Sequence, residues 1–357
     1  MKHENTFILE LCKFIKPDRA RLEALMEHTL DYPYILGQIL YHRMGAAAYE
    51  TLRKCELLGR VNREFRNTLK AIYDVGTDKT NSLLCAMQSL KAVLKEADFP
   101  YALLKGAYLV QLYPLGLRTS NDIDILIEPQ SITDLTARLK AAGFAQGNIR
   151  NGSFQPATRA EIVSSRLNRG ETIPFIKRVN LPKMEYLELD INFSLDFKAS
   201  GNTDIVSALL ANTQKTISNG YYTLSQADFL IHLCVHLFKE ATVMAWVEMG
   251  RDLSLYKFCD IYLFVDRFLD GGFCRELIQS IRRYGLEREC YYAFFNTRKL
   301  FEIQNEEFDR LIEAIRPADL RYMNEILDPV QNRRYAYDMD YIDWMFCYNR
   351  KEQLHEI

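Results

Sequence analysis

Through residues 1–97 the apolar positions recur at helical spacing. Ile8, Leu11, Cys12 and Ile15 follow an i, i+3, i+4, i+7 rhythm, Pro17-Asp18 interrupts it, and Leu22, Leu25 and Met26 resume it. Stretches 34–57 and 61–97 continue in the same way, with Gly45 and Gly76 as weak points. The pattern predicts a helical N-terminal region over 1–97 whose apolar stripes form core. The rhythm changes at Asp98-Phe99-Pro100. Tyr101-Ala102-Leu103-Leu104, a short apolar run between a proline and a glycine, predicts a buried strand, and 106–113 a short helix directly after it. Pro114-Leu115-Gly116 then turns the chain. In 122–127, Ile123, Ile125 and Ile127 alternate with Asp122 and Asp124. On a strand the isoleucines share the core face and the two carboxylates share the other.

Farther on, Ile132, Leu135 and Leu139 mark a helix stopped at Gly143. Residues 186–193 alternate again, with Leu187, Leu189, Ile191 and Phe193 on one face and Glu188, Asp190 and Asn192 on the other. Asn219-Gly220 signals a two-residue hairpin turn, and Ser225 with Asp228 a capped helix start, after which helices are expected nearly to the end. Strands and helices alternate only in the middle of the chain. The expected architecture is therefore α/β (α+β): a small mixed-sheet core over 98–224, flanked by helical regions over 1–97 and 225–357.

At 48% hydrophobic residues over 357 positions, the chain has ample material for a core without disulfide staples. A net charge of −2 provides no global basic field for nucleic acid or an acidic membrane. One local exception is 146–183, where seven basic residues (Arg150, Arg159, Arg166, Arg169, Lys177, Arg178, Lys183) face two acids, Glu161 and Glu171. It reads as a solvated, loop-rich insertion, with hairpin loops toward an anionic ligand as the other reading. The eight scattered cysteines lack metal-like spacing and read as reduced core thiols. With no apolar leader at Met1-Lys2-His3 and no long apolar run, a soluble, cytoplasmic protein without membrane contact is expected. His232 and His236, one turn apart, read as helix-face packing in the absence of a Glu in an H-E-x-x-H arrangement. The aromatics of the C-terminal region, among them Tyr256, Phe258, Tyr291 and Phe294, read as core.

Chemistry concentrates around the paired aspartates. Two carboxylates held side by side need a positive partner, and for an oxygen-only pair the usual one is a hard divalent cation. An isolated Asp-x-Asp is weak evidence; here it stands with Lys105-Gly106 after an apolar strand, Arg118 and Ser120 just before the acids, and a later carboxylate strand. In this combination the chain resembles the bacterial uncharacterised nucleotidyltransferases of the DNA polymerase β-like superfamily. Lys105, Gly106, Arg118, Asp122 and Asp124 fall on that branch's turn, arginine and acid positions, and Asp190 on its third acid. Asn192 stands where the branch has a histidine, and Ala107 where many relatives have Ser or Gly against the triphosphate. Glu188 competes with Asp190 for the third place.

The resemblance implies transfer of a nucleoside monophosphate from an NTP to a hydroxyl acceptor, whether small molecule, protein or RNA. It implies Mg2+, or Mn2+, on Asp122, Asp124 and Asp190, with Asp190 as a candidate general base for the acceptor's proton. Lys105, Gly106, Arg118 and Ser120 are the implied nucleotide-binding set, with structural ion pairing to the aspartates as the other reading of Lys105 and Arg118, and the free N–H groups after the first strand add a phosphate cradle. Two rivals remain: a catalytically silent nucleotide-binding or regulatory scaffold, and a D-x-D glycosyltransferase. Neither the base, the acceptor nor the oligomeric state is written in the residues.

Overall fold

A computed structural model describes residues 2–95, 97–168, 170–195, 203–216 and 220–357. The chain divides into two compact units, Met1–Tyr73 with Leu230–Ile357, and Asp74–Phe229. Helical segments from both chain ends thus share one unit, and the mixed sheet lies in the other.

Four helices open the chain: α1 (His3–Leu11), α2 (Arg19–Met26), α3 (Tyr32–Tyr41) and α4 (Gly45–Lys54). Asp18 and Asp31 cap α2 and α3, each carboxylate accepting a backbone N–H three residues on. The periodic stretch 34–57 breaks between α3 and α4, where Arg43 takes a left-handed φ of 58°. The second weak point does not break. Helix α5 (Arg63–Lys95) runs 33 residues straight through Gly76. Glycine is required there for space: a Cβ on Gly76 would lie 2.4 Å from the carbonyl oxygen of Gly116.

In the Asp74–Phe229 unit, β1 (Tyr101–Leu103) leads into α6 (Lys105–Leu109), and β2 (Asp122–Ile127) into α7 (Ile132–Ala141). The helix expected over 106–113 is shorter. After α6 the amides of Gln111 and Leu112 bond three residues back rather than four, and Pro114 follows. The segment 146–183 is also more regular than its composition implied. It holds strands β3 (Ala145–Arg150) and β4 (Ser153–Pro156), helix α8 (Arg159–Asn168) and strand β5 (Phe175–Leu181). Arg150 lies 3.9 Å from Glu161 and Arg178 2.9 Å from Glu185, while Arg169 lies outside the described residues. Strand β6 (Met184–Asn192) follows, then α9 (Thr203–Ala211), β7 (Gln214–Lys215) and β8 (Tyr222–Thr223). Asn219 of the expected hairpin turn lies outside the described residues; the short strands on either side pair antiparallel.

Among the described residues these strands form one sheet in the order β4-β3-β5-β6-β2-β1-β8-β7. Pairs β2·β6 and β1·β8 are parallel and the others antiparallel. One face buries Ile123, Ile125, Ile127, Leu187, Leu189 and Ile191 against Leu83, Met87 and Leu90 of α5 and Leu135 and Leu139 of α7. The alternation that predicted this face also turns the carboxylates to the other one.

The C-terminal part begins with α10 (Gln226–Ala241), capped by Ser225, whose hydroxyl accepts from the Asp228 amide. Phe258, Phe264, Tyr292, Phe294, Phe308 and Trp344 are fully buried. Helices do not persist to the end. Strands β9 (Glu325–Asp328), β10 (Arg333–Ala336) and β11 (His355–Glu356) pair antiparallel, the first turn set by Asp328 Oδ1 accepting from the Val330 and Gln331 amides. Most cysteines are buried, as expected, but Cys85 is exposed. No described helix is long and apolar enough to cross a membrane.

Candidate active site

The site grows from the register of two strands. Parallel pairing sets Asp122 beside Glu188 and Asp124 beside Asp190, so four carboxylates occupy neighbouring positions on one face. Across β1, the Leu104 amide donates to the Asp124 carbonyl at 3.0 Å, which brings Lys105 alongside. Lys105 adopts φ of 42°, a left-handed conformation uncommon outside glycine, and its Nζ donates to Asp124 Oδ1 at 2.7 Å. The same oxygen accepts from Asn192 Nδ2 at 3.3 Å, and that amide also reaches the Asp190 carbonyl at 3.3 Å.

Ser120 Oγ donates to Asp122 Oδ1 at 2.7 Å. Gly106 makes that placement feasible, since a Cβ there would lie 2.4 Å from the Ser120 hydroxyl. Arg118 stands at the entrance to β2, its backbone carbonyl accepting from Thr80 Oγ1 at 3.3 Å and its Nη1 donating to the Thr119 carbonyl at 2.7 Å. Because α6 is a single short helix of five residues, the expected cradle of N–H groups reduces to one turn.

Like charges crowd the site. Burial pushes the Asp190 carboxyl well above its ordinary range, and the charges of Asp124, Asp122 and Glu171 add to that push. Burial, then the Asp122 charge, raises Glu188 as well. For Lys105, burial pulls the ammonium down, but Asp124, Asp122 and Asp190 together outweigh it and hold it above its usual value. The half-buried Lys105 ammonium thus feels several acids at once.

Glu171 is the acid that sequence reasoning passed over, counting it only as a minor charge in a basic stretch. The Thr172 amide donates to the Ile191 carbonyl and the Phe193 amide to the Gly170 carbonyl, both at 2.9 Å, setting Glu171 opposite Asn192. Nothing local marks it, because the pairing joins residues about twenty positions apart across an irregular segment. Among the described residues no group of three or more His, Cys, Asp and Glu side chains is assembled in metal-holding geometry. The His232 and His236 rings lie stacked with centroids 6.4 Å apart, and His236 Nε2 approaches Glu240 at 3.5 Å.

No curated protein matches this chain. A solved structure of an antigenic nucleotidyltransferase-like protein from Paracoccidioides brasiliensis is similar over 66% of this chain and 93% of its own, at 14% identity and a TM-score of 0.38. The model of a family described as uncharacterised nucleotidyltransferase matches residues 29–302. That span is well over half of the sequence and includes every site residue named above, and the chain accordingly belongs to the uncharacterised nucleotidyltransferase family.

Proposed function

We propose that the chain moves a nucleoside monophosphate from an NTP to a hydroxyl acceptor, with Mg2+ or Mn2+ bound at Asp122, Asp124 and Asp190, as in the polymerase β-like superfamily. The observation that carries this reading is the register of β2 and β6, which aligns Asp124 with Asp190 on the same face as Asp122. The donor set suits a hard cation, being all carboxylate oxygen, and a divalent ion would relieve its crowding of like charge. When bound, the ion supplies electrostatic stabilisation of the triphosphate and of the attacking oxygen.

This chain's own residues do the rest. Asp122 is oriented by Ser120 and Asp124 by Lys105 and Asn192. The Asp190 carboxyl, raised by burial and by its acidic neighbours, is suited to accept the acceptor's proton. Arg118 and Lys105 supply positive charge for phosphate oxygens.

Family membership goes against the glycosyltransferase alternative. The silent-scaffold reading keeps two observations, the buried Ala107 with no hydroxyl for a phosphate and the engagement of Asp124 Oδ1 by Lys105. Calorimetric titration of ATP, GTP, CTP and UTP with Mg2+ and with EDTA, followed by mass spectrometry of acceptor mixtures, separates the readings. Asp122→Ala and Asp124→Ala should each lower metal-dependent binding and transfer by about a hundredfold or more, the scale of losing a group that stabilises transition-state charge. Full binding and transfer in both variants would remove the assignment, and binding without transfer in the wild type would favour the scaffold.

A further inference from the structure

Lys105 sets its ammonium against Asp124, one of the carboxylates proposed to hold the metal. Its Nζ is 2.7 Å from Asp124 Oδ1, the side chain is 22% exposed and that of Asp124 7%. The backbone that delivers it is held at φ of 42°, a costly conformation for a residue with a Cβ. Such an outlier persists only where its surroundings impose it. Here they do so from both sides: Leu104 is bonded to the Asp124 carbonyl, and Gly106 is packed within contact of Ser120. Asn192 gives Asp124 Oδ1 a second donor, so two bonds converge on that oxygen.

We propose that Lys105 is a built-in competitor for the metal: its ammonium neutralises Asp124 in the empty site and moves onto the triphosphate when nucleotide and cation arrive together. The proposal rests on the nucleotidyltransferase reading and deepens it. The consequence is an order of binding. A free divalent cation must evict the ammonium and leave it without a partner, whereas a cation carried by a phosphate chain brings the ammonium a new anion. Lys105 therefore admits the metal–nucleotide complex and rejects the bare metal.

The test uses the full-length chain with two probes, Mn2+ alone, followed by electron paramagnetic resonance of the free ion, and inorganic triphosphate with Mg2+, followed by calorimetry. Lys105→Met should bind bare Mn2+ about tenfold more tightly than wild type, the scale of removing one nearby positive charge. The same variant should bind Mg2+–triphosphate about tenfold more weakly. Lys105→Gln, which keeps a donor for Asp124 without the charge, should shift both affinities in the same directions. Lys105→Arg should leave bare Mn2+ as weakly bound as in wild type. This opposite movement is the signature, because a phosphate contact alone would lower triphosphate affinity and leave Mn2+ unchanged. Unchanged or weaker Mn2+ binding in both neutral variants, while wild type binds Mg2+–triphosphate, overturns the competitor and leaves the nucleotidyltransferase reading standing. Failure of wild type and all three variants to bind either probe overturns both.

Discussion

Two ionic clusters, one in each unit, are built on opposite principles. In the helical unit, Arg350 meets Asp252 through Nε at 2.7 Å and Nη2 at 2.6 Å. Its Nη1 donates to the Cys347 and Met345 carbonyls and its Nη2 also to the Tyr41 hydroxyl, so all five guanidinium donors are used. One cation meets one anion, both almost wholly buried. In the mixed unit, one ammonium faces Asp124, Asp122 and Asp190, with Glu171 and Glu188 nearby. The first cluster is electrically complete. The second crowds several carboxylates around one ammonium, and the proposed function reads that crowding as a place for a ligand, where buried ion pairs as such mark only structure.

The largest effect should come from breaking the complete cluster. Arg350→Ala leaves Asp252 buried with no counter-charge, a change that costs about 3–5 kcal/mol. The measurement is a urea denaturation curve of the full-length chain, with and without Mg2+–NTP. A loss below 1 kcal/mol would show that Asp252 finds another partner and that the cluster is not closed.

Acid and alkali should separate the two clusters next. Burial, reinforced by the Arg350 charge, lowers His42 to about 3 from an ordinary 6.5. The unfolded chain binds that proton first, so the stability His42 contributes is full above about 6.5 and is lost as pH falls toward about 3. Asp190 has the opposite sign. Its raised carboxyl contributes stability that is full below the ordinary carboxylate range and is lost as pH rises through the raised value. Asp190→Asn should therefore melt higher than wild type at pH 8, by roughly 2–4 °C for each kcal/mol of crowding relieved. His42→Asn should flatten only the acid limb. An Asp190→Asn chain no more stable than wild type at any pH above neutrality would mean the acids do not feel one another.

How legible these clusters were in the sequence differs in the same way. Alternation around Ile123 and Leu189 was enough to set Asp122, Asp124 and Asp190 on polar faces, because a strand's period is a local property. The lysine turn was readable as a candidate, with an ion pair to the aspartates as its other reading; that the partner is Asp124 depends on how β1 lies against β2. Glu171 and the C-terminal three-stranded sheet escaped for the same reason, since partners remote in sequence define both. Gly76 read as a break because its true constraint, the Gly116 carbonyl, is forty residues away. The Arg350 cluster was invisible, its members scattered from Tyr41 to the C-terminal turn with no periodic signature.

The smallest effect gives the sharpest contrast, because one neutral hydroxyl can be removed from each cluster. Tyr41→Phe deletes an acceptor of Arg350 and the bond from its own hydroxyl to the Gly250 carbonyl. It should cost about 1–2 kcal/mol of stability and leave nucleotide binding unaltered. Ser120→Ala deletes the bond to Asp122 Oδ1. That carboxylate is already over-supplied with negative neighbours, and the hydroxyl orients it without neutralising it. Stability should therefore change by less than about 1 kcal/mol, while Mg2+–NTP affinity falls severalfold because Asp122 is no longer aimed. Parallel melting curves and calorimetric titrations of the two variants read both quantities. If Ser120→Ala loses stability and keeps its affinity, the hydroxyl is a structural support of β2, and the contrast between a cluster built to be complete and one built to be completed fails at this residue.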